Sequence, residues 1–219
     1  MQNAPSDARN DIAQNDSSYF GKIWKAPKGK VPLERSDLTL VSKGHRNPQG
    51  MCPIEGSQGE LLLETEHGPK GGDEMNLVNI TADPISNYGW PDVSYGNHYN
   101  GTEIPSVHAP MYSEPIAYFN FEFVGSHGIG VCVTLGNATH LVATLNGMTL
   151  YIVTLDSDNK VKRVEPKYVG RRIRSIAPLT ECSVLLLTES SPISEPEDKR
   201  IGPLVHLNIC GQGILWEGP

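Results

Sequence analysis

The 219-residue sequence contains no long apolar run. None of its stretches reaches the roughly 18 consecutive apolar residues that indicate a transmembrane helix, so no membrane span is expected. Residues 1–18 are polar and contain no apolar h-region, which is unlike a secretory signal peptide. We expect residues 1–13 to form a flexible N-terminal segment.

Basic residues are fewer than acidic ones, with 18 Lys and Arg against 25 Asp and Glu and a formal net charge of -7. Proteins that bind nucleic acid usually present a basic patch, so no nucleic-acid partner is expected. The chain also has no CxxC pair, which argues against a zinc ribbon or a thioredoxin-like redox motif. The sequence leaves open whether the four cysteines form disulfides: Cys52, Cys132, Cys182 and Cys210.

A helical period sustained over three turns is missing as well. The 22 glycines and 17 prolines favour many turns. Short β-like runs at intervals of about ten residues predict an all-β fold, which leaves a sandwich, a barrel or a propeller as alternatives. The runs are residues 38–42, 60–66, 75–80, 116–124, 140–145, 149–155, 160–166, 174–179, 183–189 and 204–209.

Residues 140–189 contain five of these runs. Two interpretations remain open for them: one blade of a propeller, or two consecutive hairpins of a sandwich. Within this region "TLYIVTL" is followed by "DSDNK" and "VKRVEP", a pattern that predicts a β-hairpin. Residues 190–203 are rich in proline and charge, which predicts an exposed loop.

Six motifs occur in an order typical of one family. They are "QNDSSYFGKIWK" (14–25), "LVSKGHRNPQGM" (40–51), "ETEHGPKGGDEMNLV" (64–78), "NYGWPDVSYGNHY" (87–99), "LVATLNGMTLYIVTLDSDNKV" (141–161) and "GRRIRSI" (170–176). Over roughly residues 10–190 the chain resembles the soluble quinoprotein glucose and aldose sugar dehydrogenases, also called glucose/sorbosone dehydrogenases.

The resemblance implies an all-β, six-bladed β-propeller that holds pyrroloquinoline quinone (PQQ) and calcium. The implied reaction is oxidation of an aldose sugar at C1 to the lactone, with electrons passing to an external acceptor. We expect residues 14–209 to form a partial propeller of about three to four blades, and residues 210–219 to form a tail outside it. The family further implies a periplasmic or secreted location.

By this resemblance, six residues contact the cofactor: Arg46, Asn47, His67, Asn146, Arg172 and Arg174. PQQ carries three carboxylates, and a guanidinium offers two parallel donors to such a group. Arg172 and Arg174 stand two apart, so in a strand they point to one face, and their repulsion predicts an anion between them. A solvated, charged edge strand is the alternative. Asn146 stands where many relatives carry a lysine, which weakens the hold on an anion.

The same resemblance implies two calcium sites. The backbone carbonyls of Gly68 and Pro69 match ligands of the calcium beside the cofactor. The Glu74 carboxylate and the Tyr88 carbonyl match ligands of a second, structural calcium. Calcium prefers oxygen ligands, which agrees with this donor set. The alternative for Glu74, and equally for Asp73, is a solvated acid in a loop.

No catalytic residue is assigned in this chain, because the family's general-base histidine lies before the segment that matches "SSYFGKI". We therefore expect a PQQ-dependent sugar dehydrogenase domain that is weakly active or inactive alone. The alternative is a non-catalytic, propeller-type protein-interaction module. Exposed strand edges of an incomplete propeller would pair with its other half or with a second copy.

Overall fold

The computed structural model describes residues 11–119, 128–189, 201–211 and 214–217. Within these ranges the only helices are two short 3-10 helices, Asp11–Ala13 and Arg35–Asp37. The strands are β1 (Lys22–Lys25), β2 (Thr39–Lys43), β3 (Pro48–Pro53), β4 (Leu61–Glu66), β5 (Asp73–Asn79), β6 (Ser86–Asn87), β7 (Ala117–Phe119), β8 (Ile129–Gly136), β9 (Thr139–Thr144), β10 (Thr149–Leu155), β11 (Val161–Tyr168), β12 (Arg172–Thr180), β13 (Ser183–Glu189), β14 (Ile201–Asn208) and β15 (Ile214–Glu217).

These strands form four sheets that follow one another along the chain. The first has the order β1-β2-β6, and its β2–β6 pair is parallel. The other three are four-stranded and antiparallel, with the orders β3-β4-β5-β7, β8-β9-β10-β11 and β12-β13-β14-β15. The first strands of the later three sheets pack on one another, β3 on β8 and β8 on β12. This succession of four-stranded sheets is the blade arrangement of a propeller and confirms the predicted fold class.

Each pair of consecutive sheets encloses its own apolar core. Sheets one and two share a small cluster around Ile23 and Tyr88, and sheets two and three share a larger one around Leu63 and Val153. The third core, between sheets three and four, includes Leu186. Alternating side chains of the strands supply these residues, because successive positions point to opposite faces. The cores therefore fix the order in which the sheets stack.

The inner strands β3 and β8 lie unusually close together. A Cβ atom on Gly50 would collide with the Gly130 carbonyl and the Cys132 amide of β8. Position 50 of β3 thus requires glycine because the neighbouring sheet leaves no space for a side chain. Pro48 and Pro53 are tolerated because β3 is the edge strand of its sheet.

The structure corrects the grouping of residues 140–189. β9, β10 and β11 belong to the third sheet, whereas β12 and β13 belong to the fourth, so this region is neither one blade nor part of a two-sheet sandwich. The predicted hairpin is confirmed, since β10 pairs with β11 in antiparallel register. Its turn is held by Asp156, whose Oδ1 accepts the amides of Asp158 and Lys160 at 2.9 Å each.

The chain termini differ in part from the prediction. β15 pairs with β14, so the fourth sheet extends past residue 209, into the region expected to be a separate tail. Ala13 is buried, and its carbonyl accepts the Gly44 amide, so residues 11–13 pack against the first sheet. Residues 1–10 and most of the predicted loop at 190–203 lie outside the described residues, as do residues 120–124 of the run at 116–124.

All four cysteines pair. Cys52 of β3 is bonded to Cys132 of β8, which links the second and third sheets. Cys182 is bonded to Cys210, which links the turns that follow β12 and β14. None of the helices in the described part of the chain has the length and apolar character that a membrane crossing requires.

The antiparallel meander brings alternate loops to one end of the sheets. Residues 67–72 connect β4 to β5, residues 145–148 connect β9 to β10, and residues 169–171 connect β11 to β12. Because every second connection of a meander returns to the same edge, these loops share one end of the stack, which we call the site end. The turns at residues 137–138 and 156–160 lie at the opposite end.

Candidate functional site

Arg46 lies at the centre of the site end. Its Nη1 donates to the carbonyls of His67 at 2.9 Å and Gly68 at 2.6 Å. Its Nη2 donates to the Tyr99 hydroxyl at 3.2 Å, and the guanidinium lies 5.4 Å from the Trp90 ring centroid and 5.8 Å from that of Tyr99. An arginine between two aromatic rings keeps its charge while its planar face is shielded from water. The arrangement holds a half-buried cation at the edge of the site.

Glu66 fixes the turn that carries Arg46. Its Oε2 accepts the backbone amides of Arg46 at 2.6 Å and Asn47 at 3.0 Å, and its Oε1 lies 3.2 Å from His45 Nδ1. Glu66 is buried, and charged hydrogen bonds in a buried site are among the stronger ones. Both partners of the predicted Arg-Asn pair are therefore positioned by a residue that the sequence motif did not single out.

Asn47 and His67 face each other across the ends of β3 and β4. The Asn47 Nδ2 and His67 Nδ1 atoms are 3.3 Å apart, and the His67 amide donates to the Asn47 carbonyl. Burial lowers the pKa of His67, and the charge of Arg46 lowers it further, while Asp73 acts in the opposite direction. The ring is thus neutral at pH 7, with one nitrogen that can accept a hydrogen bond and one that can donate.

Asp73 is buried and connects the site loop to the next sheet, so it is not a solvated acid. Its Oδ1 accepts the Gly68 amide at 3.0 Å, and its Oδ2 accepts the Ile129 amide of β8 at 2.9 Å. The loop it holds is compact, since a Cβ on Gly68 would collide with the Gly72 carbonyl. One carboxylate therefore fixes the Gly68–Pro69 backbone against the next sheet.

A cluster of buried carboxylates lies beneath this loop. Glu64, Glu66 and Glu74 project from β4 and β5, and Asn76 Nδ2 bridges Glu64 Oε2 at 3.0 Å and Glu66 Oε1 at 3.1 Å. Burial, and then the charge of Glu66, raise the pKa of both Glu64 and Glu74 well above its ordinary value. Glu64 Oε1 and Asn76 Oδ1 are buried and lack a hydrogen-bond partner among the described residues.

A small cavity of about 10 Å³ opens between this cluster and Arg46. Its volume is close to that of one water molecule or ion. The lining residues are Arg46, Glu66, His67, Gly68, Glu74, Tyr88, Trp90, Val93 and Ser94. The structure thus brings five of the predicted site residues, Arg46, His67, Gly68, Glu74 and Tyr88, to one cavity.

The comparison with known proteins assigns the family. The model for glucose/sorbosone dehydrogenases matches residues 5–194. The chain belongs to the glucose/sorbosone dehydrogenase family. An uncharacterised protein of Synechocystis is 28% identical over 195 residues, which are 82% of this chain and 45% of that protein.

Solved structures of dehydrogenases share the fold. A crystal structure of a glucose dehydrogenase matches 91% of this chain and 58% of its own, with a TM-score of 0.69 and 27% identity. The PQQ-bound aldose sugar dehydrogenase of Streptomyces coelicolor matches 91% of this chain and 55% of its own, with a TM-score of 0.64 and 20% identity. The chain therefore spans about half the length of these members of the family.

The remaining predicted cofactor residues belong to the third and fourth sheets at the same end. Asn146 follows Leu145, whose amide donates to Gly128, and Gly170, two residues before Arg172, donates to Met148. These residues are connected to the His67 loop through backbone hydrogen bonds and the Asp73–Ile129 contact. They share its end of the sheets without joining the contacts of Arg46.

The anion expected between Arg172 and Arg174 is present within the chain. Arg172 Nε donates to Glu189 Oε2 at 2.8 Å, and Arg174 Nη2 donates to Glu189 Oε1 at 2.6 Å. Burial acts to raise the pKa of Glu189, but its hydrogen bonds and charge contacts with the two arginines outweigh burial and lower that pKa. Glu189 of β13 thus bridges the arginine pair and offsets one of its two positive charges, so an anion from within the chain already relieves part of the repulsion.

Sequence reasoning missed three acids of this site, Glu64, Glu66 and Asp73. The signal for the first two was present: in "ELLLETE" the period of two places Glu64 and Glu66 on one face of a strand, directly after three leucines. Charged residues at alternate positions of a buried strand indicate a site. Asp73 gave no comparable signal, because its partner Ile129 is 56 residues away.

Proposed function

We propose that this chain is a sugar dehydrogenase domain that takes part in oxidising aldoses at C1 to lactones with PQQ as cofactor. The observation that carries the proposal is the half-buried guanidinium of Arg46 beside the Gly68 carbonyl, within a family-matched region; a buried carboxylate, Glu66, binds the Arg46 backbone amide. The two disulfides support a periplasmic or secreted location, since such bonds persist in oxidising compartments.

The residues at the site end fit an anionic quinone in part. Arg46 offers charge and paired donors, and Asn47 and His67 offer polar contacts beside it. Arg172 and Arg174 would first have to share their donors with, or release, Glu189. When bound, PQQ supplies the two-electron acceptor. Arg46 would orient a carboxylate or quinone oxygen, and the neutral His67 would contact the ring edge.

The donor sets also fit calcium, although one ligand of the first site has another partner in the structure. Gly68 and Pro69 carbonyls suit the ion beside the cofactor, but Arg46 Nη1 already donates to Gly68. The second ion would be bound by the Glu74 carboxylate and the Tyr88 carbonyl. The raised pKa of Glu74 and the unpartnered Glu64 Oε1 support a cation at this position. A divalent cation would relieve the repulsion among the three carboxylates that the chain otherwise keeps in close contact.

Hydride removal from C1 also needs a general base for the hydroxyl proton. We assign that role to no residue of this chain. His67 is positioned by Asn47 at the cofactor location, and His45 is fully buried between Ser42 and Glu66, with its Nε2 2.8 Å from Ser42 Oγ. The chain's own contribution, in this proposal, is to hold the cofactor and its ion.

A binding experiment tests the proposal. Calorimetric titration of the chain with PQQ in millimolar Ca²⁺ should show one site, and replacement of Arg46 by glutamine should weaken binding about tenfold or more, because a bidentate charged contact is lost. Arg163→Gln, at an exposed arginine of β11, is the matched control and should bind as the wild type does. Absence of binding at micromolar PQQ would refute the cofactor assignment. Dye-coupled glucose oxidation then measures turnover.

One observation favours the alternative of a non-catalytic interaction module. The cationic side chains of the site are satisfied within the chain, Arg46 by backbone carbonyls and the Arg172–Arg174 pair by Glu189. Such a module would bind no quinone and would form a defined complex. Light scattering after size exclusion, combined with the PQQ titration, separates the two functions.

A further inference from the structure

Three metal-binding side chains lie together away from the site end. Cys52 projects from β3, Cys132 from β8 and His140 from β9, and their two sulfurs and a ring nitrogen all lie within 4.8 Å of one another. The residues are 2%, 6% and 1% exposed, so the cluster is sealed between the second and third sheets. In the structure the two sulfurs are joined as a disulfide.

The disulfide does not account for His140. The His140 Nδ1 atom lies 3.7 Å from Cys52 Sγ and 3.3 Å from Thr134 Oγ1. Its Nε2 is buried and has no hydrogen-bond partner within the described ranges. Burying a polar ring beside an apolar disulfide costs free energy that an aliphatic residue would avoid. On the side of the sulfurs, the disulfide form gives the ring only the two Nδ1 contacts with Cys52 and Thr134 among the described residues.

The orientation of the imidazole suits a metal ligand, because its Nδ1 atom lies toward the sulfurs. A neutral imidazole carries one proton, and with that proton on the unpartnered Nε2 the Nδ1 lone pair faces the sulfurs. Two thiolates and one imidazole are the ligand set of Zn²⁺ sites that keep a fourth position open. The same set disfavours calcium, which requires oxygen.

We propose that Cys52, Cys132 and His140 form a redox-gated site for a thiophilic divalent cation such as Zn²⁺. A dithiol reductant transfers two electrons and two protons to the disulfide, which becomes two thiols while the reductant becomes a cyclic disulfide. Binding of the cation then releases both thiol protons and forms two metal–thiolate bonds and one metal–imidazole bond.

The site would keep two sheets joined under either redox condition. Cys52 and Cys132 belong to the first strands of neighbouring sheets, and their Cα atoms are 5.5 Å apart. In the oxidised chain the sulfur–sulfur bond connects β3 to β8. In the reduced chain the metal would make the same connection, so loss of the disulfide would not separate the sheets.

Cobalt is the probe for this site. The chain is reduced with dithiothreitol, freed of reductant without oxygen and titrated with Co²⁺. A thiolate-to-cobalt charge-transfer band should appear at one ion per chain, disappear on adding Zn²⁺, and be absent from the oxidised chain. His140→Gln should weaken Co²⁺ binding about tenfold or more, because one ligand is lost. His206→Gln, a histidine of β14 in another sheet, should leave it unchanged.

The second cysteine pair requires its own control. The Cys182→Ala/Cys210→Ala variant should retain the cobalt band, and the Cys52→Ala/Cys132→Ala variant should lose it. A band that persists in the latter, a His140→Gln titration equal to that of the wild type, or a reduced chain without any band would each overturn the proposal. So would loss of the near-ultraviolet circular dichroism on reduction that Zn²⁺ does not restore.

Discussion

Glu189 shows how a single residue alters the meaning of a charge pattern. Two arginines at alternate strand positions indicate a missing anion only if no other strand supplies one, and here β13 does. Arg46 differs, because its partners are neutral carbonyls and a phenol hydroxyl. Of the three arginines, Arg46 is therefore the one whose side-chain hydrogen-bond partners among the described residues carry no opposing charge.

Replacing Glu189 by glutamine should make the arginine pair more attractive to an anion. The amide keeps an acceptor but removes the charge that competes with the ligand, so the affinity for PQQ should rise about two- to fivefold, in the range of partly exposed ion pairs. Glu165→Gln, which also loses contacts with two cations, controls for net charge. Equal gains in both variants, measured by calorimetry, would show a general charge effect.

Glu64 should make the stability of the calcium-free chain depend on pH. Its pKa is raised in the fold, so between the ordinary value of 4.5 and the raised value the folded state holds more protons than the unfolded state. Stability is then greatest at low pH and falls as pH rises through this window, by up to about 1.4 kcal/mol per pH unit for one proton. Glu66, Glu74, His45 and Tyr88 are the titratable groups around it.

Glu64→Gln should flatten this dependence, as urea unfolding between pH 5 and 8 in a chelator would measure. Glutamine keeps the acceptor that Asn76 uses but cannot bind a proton. Glu60→Gln, at an exposed position just before β4, should leave the slope as in the wild type. A steeper or unchanged slope in Glu64→Gln would contradict the assignment.

At the scale of strands and loops, much of the structure was readable from the sequence. Each of the ten β-like runs overlaps a strand, since local alternation is visible within a few residues. Grouping into sheets was not readable: β3 contains Pro48, Gly50 and Pro53 and has little strand signal. Its position is set by β8 about 80 residues later, through the Gly50 contact and the Cys52–Cys132 bond.

In the candidate site, too, local features were readable from the sequence and contacts between distant segments were not. Arg46, His67, Gly68 and Glu74, which were singled out by motifs local to two turns, line one cavity in the structure. The residues that hold them, Glu66 among them, act through contacts between segments distant in sequence, and the composition of a turn does not encode such contacts. The roles of the motif residues toward cofactor and calcium remain predictions.

Asp73→Asn should loosen the connection between the site loop and β8. One amide oxygen can accept only one of the two backbone N–H groups in its present orientation, and the NH₂ group faces the other donor. Leaving a buried amide unpaired costs about 1–3 kcal/mol, which urea unfolding would detect. Asp156→Asn is the control, because the Asp156 carboxylate also accepts two backbone amides but lies in a solvent-exposed turn. This substitution should lower the free energy of unfolding by less than Asp73→Asn does. Equal losses would argue against the role of burial.

For the whole molecule, the decisive feature is that each apolar core lies between two consecutive sheets. The outward face of the fourth sheet bears apolar residues instead: Leu187 and Leu204 are cross-strand partners and are 43% and 40% exposed. In a family whose members are about twice as long, a face of this kind suits another sheet or another chain.

Leu187→Thr/Leu204→Thr should reduce self-association of the chain at high concentration. The free energy of unfolding should change little, within about 0.5 kcal/mol per position, because both side chains are partly solvated and lie outside the apolar cores. Sedimentation velocity over a range of concentrations measures the effect, and Leu33→Thr, an exposed leucine outside the sheets, is the control. A wild-type chain that stays monomeric throughout would refute the expectation.

The meander also divides the connections into two sets that can be altered independently. The turn at residues 156–160 is closed by its own Asp156 contacts and lies at the end opposite to Arg46. A fluorescent reporter inserted between Ser157 and Asp158 would leave the loops at residues 67–72 and 145–148 untouched. The fold thus provides an attachment point for building a sensor, with recognition at one end and signal at the other.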